Sequence, residues 1–290
     1  MAAPVVATTS AGTWSSNASS KAISKPTGLA VGDLMVAQIT CINDPARTIN
    51  VPTNWTAVSA QVDNTTSGST VMSQRLVWKI ADSGDVAASD FTFTLSASAT
   101  FLNAAIARVT GANPNNTIDQ NASGTTSNNE SLSAAGVTPT YGDTLFFIFG
   151  SSFNGNGTAS TYAVATSNPS WTEPYEVVGG STQGIFMAHA ARTQSTATGN
   201  FSFTGGGGPG TTDLIGHLVA IRPLVAATIT QVAGSMTLTG GTQVIKLGVK
   251  IAQVAGSMLL TGGTQIIKRM SQWTNASKNS SDWTNINKSN

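Results

Sequence analysis

Residues 229 to 246 read Ile-Thr-Gln-Val-Ala-Gly-Ser-Met-Thr-Leu-Thr-Gly-Gly-Thr-Gln-Val-Ile-Lys, and residues 251 to 268 repeat that string with changes only at Ala252, Leu259 and Ile266. A near-identical tandem unit of 22 residues restricts this part of the chain to a structural array, because such units bury their apolar positions by stacking on one another. Each unit offers three short strand signals, Ile229 to Val232, Met236 to Thr239 and Thr242 to Ile245, separated by turns at Ala233-Gly234-Ser235 and Gly240-Gly241. The expectation is a three-stranded hairpin unit that stacks on its twin, on the rest of the chain or on a neighbouring subunit. A shorter repeat follows, Trp273-Thr274-Asn275 with Lys278 and Trp283-Thr284-Asn285 with Lys288. Evenly spaced Trp residues in a polar background mark a contact surface.

The 223 residues before the array carry a second internal echo. Gly32-Asp33-Leu34, Trp55-Thr56, Arg75 to Ala81, Phe91-Thr92-Phe93-Thr94 and Ile106-Ala107-Arg108 are answered by Gly142-Asp143-Thr144, Trp171-Thr172, Gly184 to Arg192, Phe201-Ser202-Phe203-Thr204 and Ala220-Ile221-Arg222. The runs are short, β-branched or aromatic, and bounded by Gly, Pro, Asn and Asp, so they read as strands. Only Ala81 to Ser89 has room for a short helix. Strands that answer each other over more than 100 residues are not simple hairpins. The fold class expected is therefore all-β: a jelly-roll-like antiparallel β-sandwich with a C-terminal β-repeat array. Its domains would be 1–223, one sandwich made of two similar halves (about 25–110 and 135–223), then the two β-repeats at 224–270 and the Trp-Thr-Asn tail at 271–290. Gly111 to Ser133 would be an exposed connection, and each Trp would cap a core.

Charged residues make up 9% of the chain, against about 25% in ordinary soluble proteins. With a net charge of +1 there is no field to steer nucleic acid or an anionic membrane. No run approaches the length of a membrane span, and the N-terminal Met1-Ala2-Ala3-Pro4-Val5-Val6 does not read as a secretory signal. Neither nucleic acid nor membrane is expected as a partner. The lone Cys41 makes no disulfide and reads as a buried strand residue.

Chemistry is sparsely represented. His189 and His217 lie in apolar strand contexts, no Gly-x-Ser-x-Gly elbow occurs, and the glutamates are Glu130, Glu173 and Glu176 alone. Asp82, Asp85 and Asp90 crowd one segment, but their spacing does not fit a calcium loop, and turn formation accounts for them. Gly205 to Gly210 lacks the Gly-Lys-Ser/Thr ending of a phosphate loop. No enzyme, cofactor or metal is expected. Trp171, Glu173, Tyr175 and Glu176 form the one cluster suited to sugar, with ring stacking on Trp171 or Tyr175 and carboxylate bonds to hydroxyls. Solvated loop acids beside a core-capping Trp are the plainer account of it.

The succession Lys25-Pro26-Thr27-Gly28-Leu29-Ala30-Val31-Gly32-Asp33-Leu34, Pro52-Thr53-Asn54-Trp55-Thr56, Trp78-Lys79-Ile80-Ala81, Phe91-Thr92-Phe93-Thr94, Ala105-Ile106-Ala107-Arg108 and Ala220-Ile221-Arg222-Pro223 resembles a broad group of bacteriophage and prophage virion proteins. The two C-terminal repeats look like tails found on similar phage proteins. The resemblance implies a non-enzymatic structural component of a tailed phage, displayed on the virion as a capsid decoration, fibre or tail-associated protein and made in the host cytoplasm. Assembly residues would be Trp273, Trp283, Met236, Met258, Ile245 and Ile267, and the partners other virion proteins and further copies of the chain, with a homotrimer expected by analogy with phage fibres. The alternative is an adhesion module for host surface glycans.

Overall fold

The computed structural model describes residues 2–65, 69–154, 162–164, 170–179, 183–205 and 212–224, and beyond them the backbone of six short strands. The chain divides into two compact units, Met1–Val225 and Ala226–Asn290.

In the first unit, β1 (Val5–Ala11), β2 (Ser15–Ser24), β3 (Leu34–Asn43), β4 (Thr56–Ala57), β5 (Val62–Thr65), β6 (Val71–Ile80) and β7 (Asp90–Thr110) form one antiparallel sheet, ordered β1-β7-β3-β6-β4, with β2 added to β7 and β5 to β6. The 21-residue β7 shows how sequence pattern sets the layers. Phe91, Phe93 and Leu95 alternate inward while Asp90, Thr92 and Thr94 face solvent, the mark of a sheet with one wet face. From Leu102 to Ala107 every residue is buried, because the strand has moved into a layer covered on both sides. Strands β1 and β2 follow β7 as one interrupted strand, β1 along its C-terminal part and β2 along the rest. The helix α1 (Ser83–Ala87) sits in the segment read as helix-capable. Asp82 and Asp85 close a capping box around its first turn, each accepting from the other's backbone N–H.

The second half repeats the plan. Strands β8 (Ile118–Thr126), β10 (Thr144–Asn154), β12 (Thr172–Gly179), β13 (Gln183–Arg192) and β15 (Thr212–Ile221) make a sheet ordered β12-β13-β10-β15-β8. A smaller sheet, β11-β14-β9, contains β9 (Ser131–Ala134), β11 (Tyr162–Val164) and β14 (Phe201–Gly205). Leu34 pairs with Ile80 and Val109, and Leu145 pairs with Ala191 and Ile221, so Leu145 stands where Leu34 does, 145 − 34 = 111 residues on. The same offset aligns Gly32 (φ 93°) with Asp143 (φ 55°), both left-handed at the turn into the strand. Matching the two Gly-Asp pairs by sequence is thus one residue out of step with the backbone.

Within the one compact unit each half has its own core, and a third core joins them. The first packs Met35, Ile39, Phe93 and Ile106 under β2 and Trp55, whose ring meets Phe91 and Phe93 edge-on at 5.8 and 5.6 Å. The second packs Phe146, Ile148, Phe186, Phe201 and Phe203 under the small sheet. The two large sheets meet face to face through a third core with Leu34, Val36, Val109, Leu145, Phe147, Phe149 and Val219, so the first unit is layered. The boundaries near 25 and 135 need correction. β1 and β2 belong to the first half, and the segment 111–133 is no plain connection, since it carries β8 and the start of β9. An antiparallel bridge between Ala112 and Pro223 closes the second half onto the junction.

In the second unit the strands β16 (Thr228–Gln231), β17 (Met236–Thr239) and β18 (Val244–Ile245) pair with β19 (Lys250–Gln253), β20 (Met258–Thr261) and β21 (Ile266–Ile267). Every pair is parallel, and every residue meets its own repeat equivalent, as Ile229 meets Ile251 and Ile245 meets Ile267. The hairpin expected within each unit is replaced by stacking of one unit on its twin. Parallel partners need a connection of a dozen or more residues, and a repeat of 22 supplies it while keeping identical residues in register. Trp273 and Trp283 lie outside the described residues.

Candidate functional site

The segment expected to bind sugar does not converge. Trp171 precedes β12 and is partly buried against the Phe146–Phe186–Phe201 core, with its indole N–H buried and unpaired among the described residues. Tyr175 lies on the other side of the same sheet, in the core between the two large sheets. Only 8% exposed, it donates its hydroxyl to Gln38 Oε1 at 2.8 Å, and burial pushes its pKa well above the usual value. Glu173 and Glu176 are on the exposed side of β12. The cluster runs into a strand, and a bulge between Thr172 and Tyr175 sends the two rings to opposite faces. A pyranose therefore has no platform made of Trp171 and Tyr175 together.

The candidate assembly residues are brought together in pairs. Met236 is opposite Met258 and Ile245 opposite Ile267, each in a two-stranded parallel sheet. Among the described residues, each of these six strands has one neighbour and therefore one further edge. An edge of this kind is a template for another strand.

The aspartates that the sequence crowds together are engaged in structure. Asp82 and Asp85 receive Lys79 Nζ at 3.0 and 2.7 Å, and Asp90 accepts from Ser89. Asp119 holds Arg222 Nε at 3.1 Å and the Thr140 N–H at 2.6 Å, beside a guanidinium that stacks 5.1 Å over Tyr141. Cys41 is buried in β3 and its thiol is pushed up to about 12 by burial. His189 lies against Phe147 with its pKa lowered by burial. His217 is fully buried and burial lowers its pKa to about 4. No group of three or more His, Cys, Asp or Glu residues is placed to hold a metal among the described residues. No helix among them is long and apolar enough to cross a membrane. Of the glycine run, Gly205 ends β14 and the rest lies outside the described residues.

A polar belt between the two large sheets is not foreseen from local pattern. Gln38 donates to the Gly150 carbonyl at 2.9 Å while accepting from Tyr175, and the Thr40 and Ser151 hydroxyls lie 3.4 Å apart. Asn64 donates to the Thr126 and Leu214 carbonyls and accepts from Ser127. These bonds fix how one half sits on the other. Their only trace in the sequence is a lone Gln inside an apolar strand. No protein-family model matches the chain, and no curated protein and no solved structure matches it.

Proposed function

We propose that this chain is a non-enzymatic structural protein of a tailed-phage virion, displayed on the particle and assembling with copies of itself through the C-terminal repeats. The observation that carries the reading is the residue-for-residue parallel pairing of the two repeats, β16 on β19, β17 on β20 and β18 on β21. A stack of this kind is extended by any further copy that presents the same strands, since the edge left over repeats the edge already used. The strand order of the second half supports the same reading by analogy. Of its eight strands β8 to β15, the first, eighth, third, sixth and fifth are neighbours in one sheet and the second, seventh and fourth in the other. Seven of the eight follow the order of a jelly roll, a fold common in virus particles and also in lectins, and the fifth departs from it, so the likeness adds weight and no identity. The low charge, 9% of residues, suits a surface that meets neighbours through hydroxyl and amide groups.

Light scattering after gel filtration tests the assembly half of the proposal. The full chain is expected as a trimer or other homo-oligomer, and a chain ending at Pro223 as a monomer. A full chain that stays monomeric, or a truncated chain that keeps the same oligomeric state, refutes assembly through the repeats. Immunogold labelling of purified virions tests the location, and particles without label refute it.

A further inference from the structure

Between the two large sheets, β6 of one and β15 of the other contribute to the same apolar clusters. Met72 and Ile215 share one apolar cluster at one end of the seam, and Leu76 and Val219 share another farther along. Side chains two residues apart on a strand point to the same face. Gln74, midway between Met72 and Leu76, and His217, midway between Ile215 and Val219, therefore both point into this seam from its two sides. Both are completely buried. Neither Gln74 Oε1 and Nε2 nor His217 Nδ1 and Nε2 has a hydrogen-bond partner among the described residues. Beside them, Thr40 pairs with Gln74 across the sheet and carries its hydroxyl toward Ser151.

Native interiors satisfy buried amides and imidazoles almost without exception, through protein groups or ordered water. The chemistry of the missing partner is narrow. Gln74 offers a donor and an acceptor, and a neutral imidazole offers one of each. No cation faces the pair: Arg75 is on the opposite face of β6 and donates to the Ile49 carbonyl. The nearest carboxylate on the same face of β15, Asp213, accepts from the Asn128 N–H. The complement must be small, neutral and able both to donate and to accept, and the apolar clusters at each end keep it enclosed. We infer that Gln74 and His217 form an internal water-binding site, in which one or two ordered water molecules bridge the two halves of the first unit. Water makes about three hydrogen bonds in such sites, so two molecules satisfy all four orphan atoms and reach the Thr40 or Ser151 hydroxyl.

The test is magnetic relaxation dispersion of the solvent with the full chain, wild type against Gln74→Leu, together with thermal unfolding. The expected result is a loss of one or two long-lived water molecules from the dispersion and a Tm lowered by about 2–4 °C, the shift that a single lost interaction produces in a domain of this size. An unchanged dispersion overturns the inference. So does a raised Tm, the response of a dry seam relieved of an unpaired amide. Should Gln74→Leu fail to fold, a high-resolution crystal structure of the wild type decides: solvent density within hydrogen-bonding distance of both side chains supports the site, and its absence there removes it.

Discussion

Acid should loosen this protein through His217, and the size of the effect follows from where the ring sits. Burial lowers its pKa from 6.5 to about 4. The buried polar residues that β3, β6 and β7 bring to this seam are Gln38, Thr40, Gln74 and Asn103, all neutral. On its own sheet the titratable neighbours are Tyr175, His189 and Asp213. In the unfolded chain the imidazole takes up a proton near pH 6.5, whereas in the fold it resists to about 4. The unfolded state then binds more protons, and stability is present in full above 6.5 and lost as pH falls toward 4. At about 1.36 kcal/mol per pKa unit, the loss relative to pH 7 is about 2 kcal/mol at pH 5 and about 3 kcal/mol at pH 4. His189, lowered by burial, adds in the same direction. Asp213, whose carboxyl is pushed up by burial, works the opposite way and gains stability as pH falls through its folded value. Comparing the wild type with His217→Gln in urea unfolding from pH 7 to pH 4 cancels both contributions. The wild type should lose about 3 kcal/mol relative to the variant over that range. Parallel curves for the two proteins, or an NMR titration placing the His217 midpoint near 6.5, refute the reasoning.

Other substitutions probe separate joints of the first unit. Tyr175→Phe removes the 2.8 Å bond to Gln38 and leaves its buried oxygen unpaired, so urea unfolding should show a loss of about 1–3 kcal/mol. Asp119→Asn breaks the ion pair with Arg222 at the close of the second half; one charge left without its partner should destabilise by about 3 kcal/mol in urea unfolding. Gly150→Ala would place a methyl 1.9 Å from Phe186 Cε1, and overpacking of this kind costs about 1–3 kcal/mol, measurable by thermal unfolding with calorimetry.

What the sequence made legible is the set of positions where burial alternates or turns are forced. Phe91-Thr92-Phe93 and Phe201-Ser202-Phe203 place both rings of each pair inward, and Trp55 covers its core as the pattern implies. The strands that escaped notice, β1, β2 and β8, are rich in Ser, Thr, Asn and Ala. In β2 only Ile23 is buried, so there is no apolar period to detect, and such strands form because β7 and β15 offer them hydrogen bonds. The sugar-binding cluster failed for a related reason. Closeness along the chain put Trp171 and Tyr175 together, but a bulge and the alternation of a strand put a sheet between them. The partner that explains Tyr175 is Gln38, 137 residues away, a distance over which local pattern carries nothing.

The seam between the halves also bears on why a chain built twice over settles into one arrangement. Two similar halves could in principle pair like with like, each with a copy of itself from another chain, because a two-fold interface presents the same patch on both sides. The polar belt works against that. By the offset of 111 in β3 and β10, Gln38 corresponds to Phe149 and Thr40 to Ser151. By the pairing of Ile80 and Ala191 with their central strands, Gln74 corresponds to Ile185, and by that of Val109 and Ile221, His217 corresponds to Ala105. Three of these four polar residues thus have an apolar counterpart in the other half. A first half pairing with another first half would set Gln38 against a surface lacking both Tyr175 and the Gly150 carbonyl, leaving the amide buried and unbonded. Discrimination by an unpaired polar group in the wrong complex is a strong form of specificity. The belt therefore directs a first half to a second half and away from another first half.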